Sequence, residues 1–430
     1  MNVTREVVMD LLPIYNFADA YRQAADSYVS LAQDTRAAEY YTKAFELRQH
    51  ASDIERFIIT GDYYQTVTGE QDRAERMFQE FMAVYPRHAG AYLELGEVYA
   101  SLGKFEDAVA TEVESERLAP NETAPWVNRA IYVTALNRFD EAKALIRDGH
   151  ARNMDTYDTR LVLAAIAFLT GDAKSLEEQQ AWFATHLDEK YYGLAFDSDT
   201  AAYAGDLRSA RELTQRAAEA AIDADGKEFA AMIWGNAAVR EAAFGNSRDA
   251  KEAAAEASRL APDSQLVELE TALVYALVGD SARTQPVVRD LDKRYPFDTQ
   301  VQKLWLPTIR AQVALNSKNP LQAIAALQSL QPPMEFAASV LGGSIPPSCL
   351  YPTYIRGQAL LALGKGASAA NEFRKIQEHG GLVWNCWTGA RWRGTKTFSP
   401  SGETPIPTSP STSKPKLNTR SCGSKSIGDR

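Results

Sequence analysis

The chain has 430 residues, of which 45% are hydrophobic and 24% charged, a composition typical of a folded protein with a packed core. Its net charge of −10 is unevenly spread, because residues 391–430 hold eight Lys/Arg and two Asp/Glu while the remainder is strongly acidic. An acidic body is unsuited to binding phosphates and no apolar run could span a bilayer, so we expect neither a nucleic-acid partner nor a membrane segment.

The N-terminal stretch MNVTREVVMDLLPIY contains Arg5, Glu6 and Asp10, charges that interrupt the apolar run a signal peptide requires. We therefore expect a cytoplasmic protein. The cysteines, which show no CxxC spacing and so predict neither a disulfide framework nor a zinc site, are Cys349, Cys386 and Cys422.

Residues 1–17 predict a short leading helix, and the first full repeat unit covers about 18–51. In this unit aromatic and alanine side chains recur at the spacing of two packed helices: Tyr21, Ala24, Ala25, Tyr28, Ala37, Tyr41 and Ala44. A second unit covers about 55–88, with Gly69 between its two helices.

The clearest unit extends from Gly90 to Asn121. Its signature residues are Tyr92, Leu95, Gly96, Tyr99, Ala108 and Pro120. Their spacing resembles the tetratricopeptide (TPR) pattern W-x2-L-G-x2-Y…A…P, which implies two antiparallel helices joined by a short turn. Because one such unit cannot bury its own apolar face, the units have to stack on one another.

The turn between the two helices of a unit shows the fixed period. Turn residues recur at intervals of 34: Gly69, Gly103, Asn137, Gly171 and Gly205. Glycine and asparagine tolerate the left-handed backbone at which a helix stops. This coincidence predicts further repeats at 123–156, 157–190 and 191–224, although the other signature positions of the last two are poor.

Beyond a slip of six residues near 225–230 the repeat pattern resumes. In the polar tail, residues 391–430, 23 of 40 residues are Ser, Thr, Pro or Gly. Such a segment has too little apolar area to offset the entropy that is lost on folding, so we expect it to be disordered. The predicted segments are a leading helix, an N-terminal and a C-terminal block of repeats, a Pro/Gly-rich insertion, a last TPR-like unit and the tail: 1–17, 18–224, 225–330, 331–349, 350–390 and 391–430.

An eleventh repeat unit begins at Trp387, 34 residues after Thr353, but its pattern then stops, so we expect the array to end without a capping helix pair. We expect this to expose the apolar face of 350–383, which favours weak self-association through an uncapped repeat. It also leaves an aromatic cluster with no neighbouring helix to cover it: Trp384, Trp387 and Trp392.

Four stretches are similar to the long TPR region that follows the catalytic domain in certain bacterial serine/threonine protein kinases: RFIITGDYYQTVTGEQDRA, TQVQKLWLPTIRAQVALN, LYPTYIRGQALLAL and NEFRKIQEHGGLVWN. The resemblance covers about 20–390 and implies a final helix pair where the polar tail stands. A natural divergence, a truncation and a reading-frame change all fit this difference. No kinase residue can be carried over, because the Gly-rich loop, the V-A-I-K lysine, H-R-D and D-F-G are all missing.

No HExxH, GxSxG or GxGxxG motif occurs, so we expect no catalytic activity, cofactor or metal. By resemblance, the first helix of each TPR unit lines a concave groove. Five groove candidates follow from their places in that helix, with packing against neighbouring helices as the alternative for each: Arg56, Tyr63, Glu97, Ile131 and Tyr203.

The sequence thus predicts an all-α, right-handed TPR solenoid of about ten antiparallel helix pairs with a disordered C-terminal tail. The predicted function is a protein–protein interaction scaffold or docking module that binds a peptide or partner protein in its groove. The alternative is a detached regulatory or sensory region of a bacterial signalling kinase or transcription regulator. An enzyme with an unrecognised site is the least favoured interpretation.

Overall fold

The computed structural model describes residues 17–338 and 348–386, and these residues form 21 α-helices and no strand. The bounds are α1 Ala18–Ser30, α2 Asp34–Leu47, α3 Asp53–Asp62, α4 Gln71–Val84, α5 Ala89–Ser101, α6 Phe105–Leu118, α7 Thr123–Ala135, α8 Phe139–Ala151, α9 Tyr157–Thr170, α10 Ala173–Thr185, α11 Lys190–Tyr203, α12 Leu207–Asp223, α13 Lys227–Phe244, α14 Ser247–Leu260, α15 Gln265–Leu277, α16 Ser281–Arg294, α17 Leu306–Asn316, α18 Pro320–Ala326, α19 Tyr351–Ala362, α20 Gly366–Glu378 and α21 Gly380–Val383.

The helices form ten consecutive pairs, from α1/α2 to α19/α20, and the short α21 follows them. The predicted fold class, a TPR solenoid, is confirmed. None of the helices in these ranges is long and apolar enough to cross a membrane. The predicted leading helix 1–17, the tail 391–430, and Trp387 and Trp392 lie outside the described residues.

Small residues let the two helices of a pair approach closely. Trp126 of α7 packs over Gly149 of α8, and Phe78 of α4 packs over Gly61 of α3. A Cβ atom at either glycine would overlap the aromatic ring. Trp126 is 2% exposed, and its indole N–H donates to the carbonyl of Leu145 at 2.9 Å. These contacts place the predicted seam residues where the TPR pattern requires them.

The turn residues adopt the backbone that the sequence predicts. All five have positive φ: 65° at Gly69, 77° at Gly103, 59° at Asn137, 74° at Gly171 and 84° at Gly205. The six-residue slip that follows has a simple cause. The α12 and α13 helices contain 17 and 18 residues, whereas most others contain 13 or 14, so the extra residues lengthen this hairpin.

The solenoid curls until its later repeats contact its earlier ones. Residues in or next to the turns inside the first four pairs bond to segments about six pairs further along. We refer to these bonds as the closing contacts: Gln33 Nε2 to Asp225 O at 3.1 Å, Thr299 N to Gly69 O at 2.8 Å, Ala338 N to Ala100 O at 3.0 Å, and Asn137 Nδ2 to Glu378 O at 2.7 Å. These bonds hold the early and the late repeats against one another.

The C-terminal segment lies across pairs four to six and contacts α7 and α9. The backbone N–H of Gly381 donates to Asn137 Oδ1 at 2.8 Å, and Asn385 Nδ2 donates to the carbonyl of Phe196 at 2.8 Å. Trp384 is 2% exposed and belongs to the main hydrophobic core. The expectation that Trp384 lacks a covering helix is therefore wrong, because helices from much earlier repeats cover it.

Cys349 and Cys386 form a disulfide bond, with Cα atoms 5.8 Å apart. The sequence prediction of no disulfide is wrong for this pair, because the cysteines are 37 residues apart and meet only when α19 and α20 fold back as a hairpin. Disulfides persist in oxidising compartments, so the cytoplasmic location stays a prediction without support from this bond.

The last helix pair has a polar outer face. On α20, Ser368 and Asn371 are exposed whereas Phe373 is buried, and Leu361 is the exposed large hydrophobic residue of this pair within the described ranges. The expected apolar face on 350–383 is therefore not exposed in this part of the chain, because the outer helix ends the array with polar side chains. Self-association through this face loses its structural basis.

Candidate binding groove

Three inner helices bring carboxyl groups together on the concave side of the first repeats. Asp26 lies on α1, Asp62 on α3, and Glu94 and Glu97 on α5. Electrostatic interactions connect Asp62 with Asp26 and Glu97, and Glu94 with the other three, so they form one group. We refer to these residues, together with Glu112 of α6, as the acidic groove.

Arg22 on α1 is the cation that three of the carboxylates on α1 and α3 share. Its guanidinium nitrogens lie 2.7 Å from Asp26, 2.9 Å from Asp19 and 3.9 Å from Asp62. The hydroxyl of Tyr41 also donates to Asp26 at 2.7 Å. One guanidinium balances one carboxylate, so the acidic groove as a whole keeps an excess of negative charge or of bound protons.

Asn128 on α7 extends the groove toward α6. Its Nδ2 lies 3.2 Å from Glu97 Oε1 and 3.2 Å from Glu112 Oε1. Glu112 is fully buried, and its Oε2 has no hydrogen-bond partner; Oε1 of the buried Gln65 also has none. Gly96 leaves space for Glu112, because a Cβ there would lie 2.7 Å from Oε1. A buried acceptor without a donor is unfavourable by about 1–3 kcal/mol, so these two atoms make the inner part of the site costly to keep folded.

Burial raises the pKa of Asp62, Glu94 and Glu112 well above the ordinary values, and neighbouring carboxylates raise it further. Burial also raises the pKa of Asp26 and Glu97. The cause is the loss of hydration of the charged form, which crowded like charges make worse. These groups therefore hold their protons to higher pH than exposed carboxyls do, and an incoming cation would favour their ionised forms.

Of the five residues predicted from the sequence to face the groove, the structure brings Glu97 into the acidic groove. Arg56 pairs with Asp53 in the first turn of its own helix. Tyr63 stacks on Phe45 of α2 with ring centroids 3.9 Å apart. These two side chains make packing and intrahelical contacts, which was the alternative for each.

The other two predicted residues lie in later repeats. Ile131 is half-buried and packs against the main hydrophobic core. Tyr203 is half-buried and meets Phe168 edge to face at 4.9 Å. The structure therefore does not gather the five predicted residues into one site, and a binding role for each stays a prediction.

Sequence reasoning missed most of the acidic groove, although a signal was present. By the TPR resemblance, the ninth residue of each unit lies on the first helix and faces the groove. Acidic residues occupy this place in the units that begin at residues 18, 89 and 191: Asp26, Glu97 and Asp199. Glu94 and Asn128 share the sixth place of their units. Comparing one place across all units, instead of selecting residues unit by unit, would have found this acidic stripe.

No protein-family model matches the chain, and no curated protein sequence does. Among solved structures it is similar to the APC/C hetero-tetramer Cut9-Hcn1, with 16% identity, 77% of this chain and 59% of that chain covered, and a TM-score of 0.43. It is also similar to a human IFIT1 dimer with m7Gppp-AAAA, with 14% identity, coverages of 86% and 93%, and a TM-score of 0.39.

A third similar structure is a tetratricopeptide repeat protein from Parabacteroides merdae, with 10% identity, coverages of 86% and 98%, and a TM-score of 0.24. The chain thus spans less than two thirds of the Cut9-Hcn1 chain and nearly all of the other two. Because these superpositions are loose and the identities low, the fold assignment rests on the helix pairs described above, and no function is taken from these proteins.

Proposed function

We propose that this chain is a docking module whose acidic groove binds a basic segment, rich in Lys or Arg, of a partner protein. The observation that carries the proposal is the excess of crowded carboxyl groups over cations around Arg22. Ammonium and guanidinium groups are donors without acceptors and form short, strong bonds to carboxylates, so they match this surface.

The size of the groove suits a short peptide. Packed neighbouring helices lie about 10 Å apart, so the inner helices α1, α3 and α5 span about 20 Å. An extended chain rises about 3.3 Å per residue, and about six residues would therefore cross the acidic groove. Two or three basic side chains on one face of such a segment would reach Asp26, Asp62 and Glu97.

Proton displacement makes the proposed binding sensitive to pH. Each basic side chain favours the ionised form of the carboxyl that it contacts, so binding releases protons that the raised pKa values retain in the free groove. The affinity should therefore increase as pH rises, and salt should weaken it by screening. A phosphate backbone would be repelled, and nucleic acid is not proposed as a partner.

The regulatory alternative, a region that acts beside a bacterial signalling kinase or transcription regulator, stays a prediction from the sequence resemblance. It is compatible with the same chemistry, because a kinase or regulator that presents a basic segment could occupy the acidic groove. What would separate it from a general scaffold is a change in partner activity on binding.

The direct experiment is an array of six-residue peptides with systematically varied charge, incubated with the full chain. We expect Lys- and Arg-containing peptides to bind, with affinity at least about tenfold higher than neutral versions, which corresponds to about 1.4 kcal/mol. The double variant Glu94→Gln, Glu97→Gln should lose this preference because the two carboxylates become neutral amides of the same shape.

A matched control is Glu177→Gln, Glu178→Gln, since both residues are exposed on α10 away from the acidic groove. The control should bind basic peptides as the natural chain does. Equal binding of basic and neutral peptides, or an equal loss in both double variants, would contradict the proposal.

A further inference from the structure

A second cavity, of about 150 Å³, lies among the later repeats. Among the described residues, its lining includes Leu161 of α9 and side chains from α11, α13, α15, α17 and the segment around Cys349. None of the acidic-groove residues is among them. The cavity is therefore a separate site, and what it binds does not depend on the proposed function of the groove.

Two pairs of aromatic side chains line this cavity. Tyr192 and Phe229 meet edge to face at 4.7 Å, and Trp305 and Tyr351 meet edge to face at 5.7 Å. Trp305 belongs to a π-helical turn, Val301–Trp305, that leads into α17. The electron-rich face of an aromatic ring attracts a cation placed against it.

The cavity contains one ion pair that is already complete. Arg240 Nη1 lies 2.9 Å from Asp199 Oδ1, and Asn236 Nδ2 lies 2.6 Å from Asp199 Oδ2. The same guanidinium also donates to the hydroxyls of Ser198 and Thr214 at 2.9 and 2.8 Å. Asp199 and Arg240 thus neutralise each other, and both oxygens of the carboxylate are engaged.

Glu270 on α15 is the carboxyl that remains. Its Oε2 is buried and has no hydrogen-bond partner. The atom lies directly over Gly235 of α13, where a Cβ would overlap it, so the glycine creates the space that the carboxyl occupies. The titratable and charged groups around it are Asp199, Arg240 and Tyr351.

From this arrangement we infer that the cavity binds a small organic cation, a primary ammonium group on an apolar or aromatic body, with the ammonium on Glu270. A cavity of about 150 Å³ holds a molecule the size of benzene, so the body is of ring size. The aromatic side chains contact that body, and the ammonium donates to Glu270 Oε2, the oxygen that has no hydrogen-bond partner in the cavity.

The protonation state of Glu270 changes when the cation enters. Burial, with a smaller effect from Asp199, raises its pKa to about 8, so the empty cavity holds a neutral carboxyl at pH 7. An ammonium favours the carboxylate, and the displaced proton leaves to solvent. Binding should therefore release about one proton at pH 7 and become tighter from pH 6 to pH 8.

The experiment compares benzylamine with benzyl alcohol, its neutral counterpart of almost equal shape, by isothermal titration calorimetry on the full chain. Benzylamine should bind at least about tenfold more tightly than the alcohol. Titrations in buffers of different ionisation enthalpy should show the release of about one proton. The variant Glu270→Gln should bind both probes with equal affinity and without proton release.

Two controls keep the outcome interpretable. Glu268→Gln changes a carboxylate on the same helix that pairs with Arg294 instead of facing the cavity, and it should leave benzylamine binding unchanged. Glu94→Gln, Glu97→Gln should also leave it unchanged, whatever happens to peptide binding in that variant. Equal affinity of the natural chain for both probes, or undiminished benzylamine binding in Glu270→Gln, would overturn the inference.

Discussion

Asp34 and Glu228 face each other across the closing contact between the first helix pair and the seventh, close enough for the charge of one to oppose ionisation of the other. Thr35 holds Glu228 through its backbone N–H at 3.2 Å and its hydroxyl at 3.1 Å. Two carboxyls therefore lie at a contact between residues almost 200 positions apart in the sequence, and the strength of this contact depends on protonation.

The first prediction concerns pH. Burial, followed by Glu228, raises the pKa of Asp34 to about 8, whereas an unfolded chain ionises it near 4. Between these values the folded state binds the additional proton, so its stability decreases as pH rises from 4 to 8 and levels off above. Melting temperatures from pH 5 to pH 9 should show the natural chain losing stability relative to Asp34→Asn. Parallel curves for the two proteins would contradict this.

The second prediction concerns Gly381, which packs directly on the carbonyl oxygen of Thr134. An added Cβ would overlap a backbone atom that cannot rotate away, so Gly381→Ala should weaken this closing contact and destabilise the chain by about 1–3 kcal/mol, the usual effect of overpacking. Urea unfolding measures the loss. Gly366→Ala is the matched control, because a Cβ there meets nothing within 4 Å and should be neutral or slightly stabilising. Equal effects of the two substitutions would refute the assignment.

The third prediction concerns the disulfide bond between Cys349 and Cys386. Thiol titration of the denatured, unreduced chain should find one free thiol per molecule, since the chain has three cysteines. Reduction should lower the free energy of unfolding by about 3–4 kcal/mol, the entropy expected for a loop of this length. Three free thiols in freshly purified protein, or a melting temperature that reductant does not change, would be inconsistent with the bond.

The fourth prediction concerns Arg240, which is 6% exposed and compensates the buried Asp199. Arg240→Leu would leave that carboxylate buried without its cation, at a cost of about 3–5 kcal/mol. Arg248→Leu removes an exposed arginine that pairs with Glu252 one turn away, and its effect should be small. Chemical denaturation of the two variants side by side tests this, and similar midpoints would show that the buried pair is not needed.

Much of the fold could be predicted because its signals are local. The turn residues recur at a spacing of 34, and each has the left-handed backbone that glycine and asparagine favour. Trp126 and Gly149 pack within one helix pair, so the spacing of a single unit indicates their contact. Even the slip after Gly205 was visible, although its cause, two lengthened helices, was not.

The candidate sites were harder to predict because their members come from different repeats. Glu97 was predicted as a groove residue from the sequence. Asp62 and Glu112 become candidates only because folding places other carboxyl groups next to them. Glu270 carries no motif, and its unpaired state is visible only once Gly235 and the cavity are seen. The acids at the ninth place of three units were a recognisable signal, whereas the residues around Glu270 share no sequence spacing.

The sequence by itself determined the helix pairs, their turns and their seams, because these depend on residues within one or two units of each other. Tertiary structure alone decided the closing contacts, the burial of Trp384, and the pairing of Cys349 with Cys386. The physical reason is that each repeat adds a small rotation, and only the accumulated rotation over about six pairs brings distant segments together. Periodicity in a sequence indicates that the repeats stack, whereas the curvature of the stack depends on the packing of every repeat.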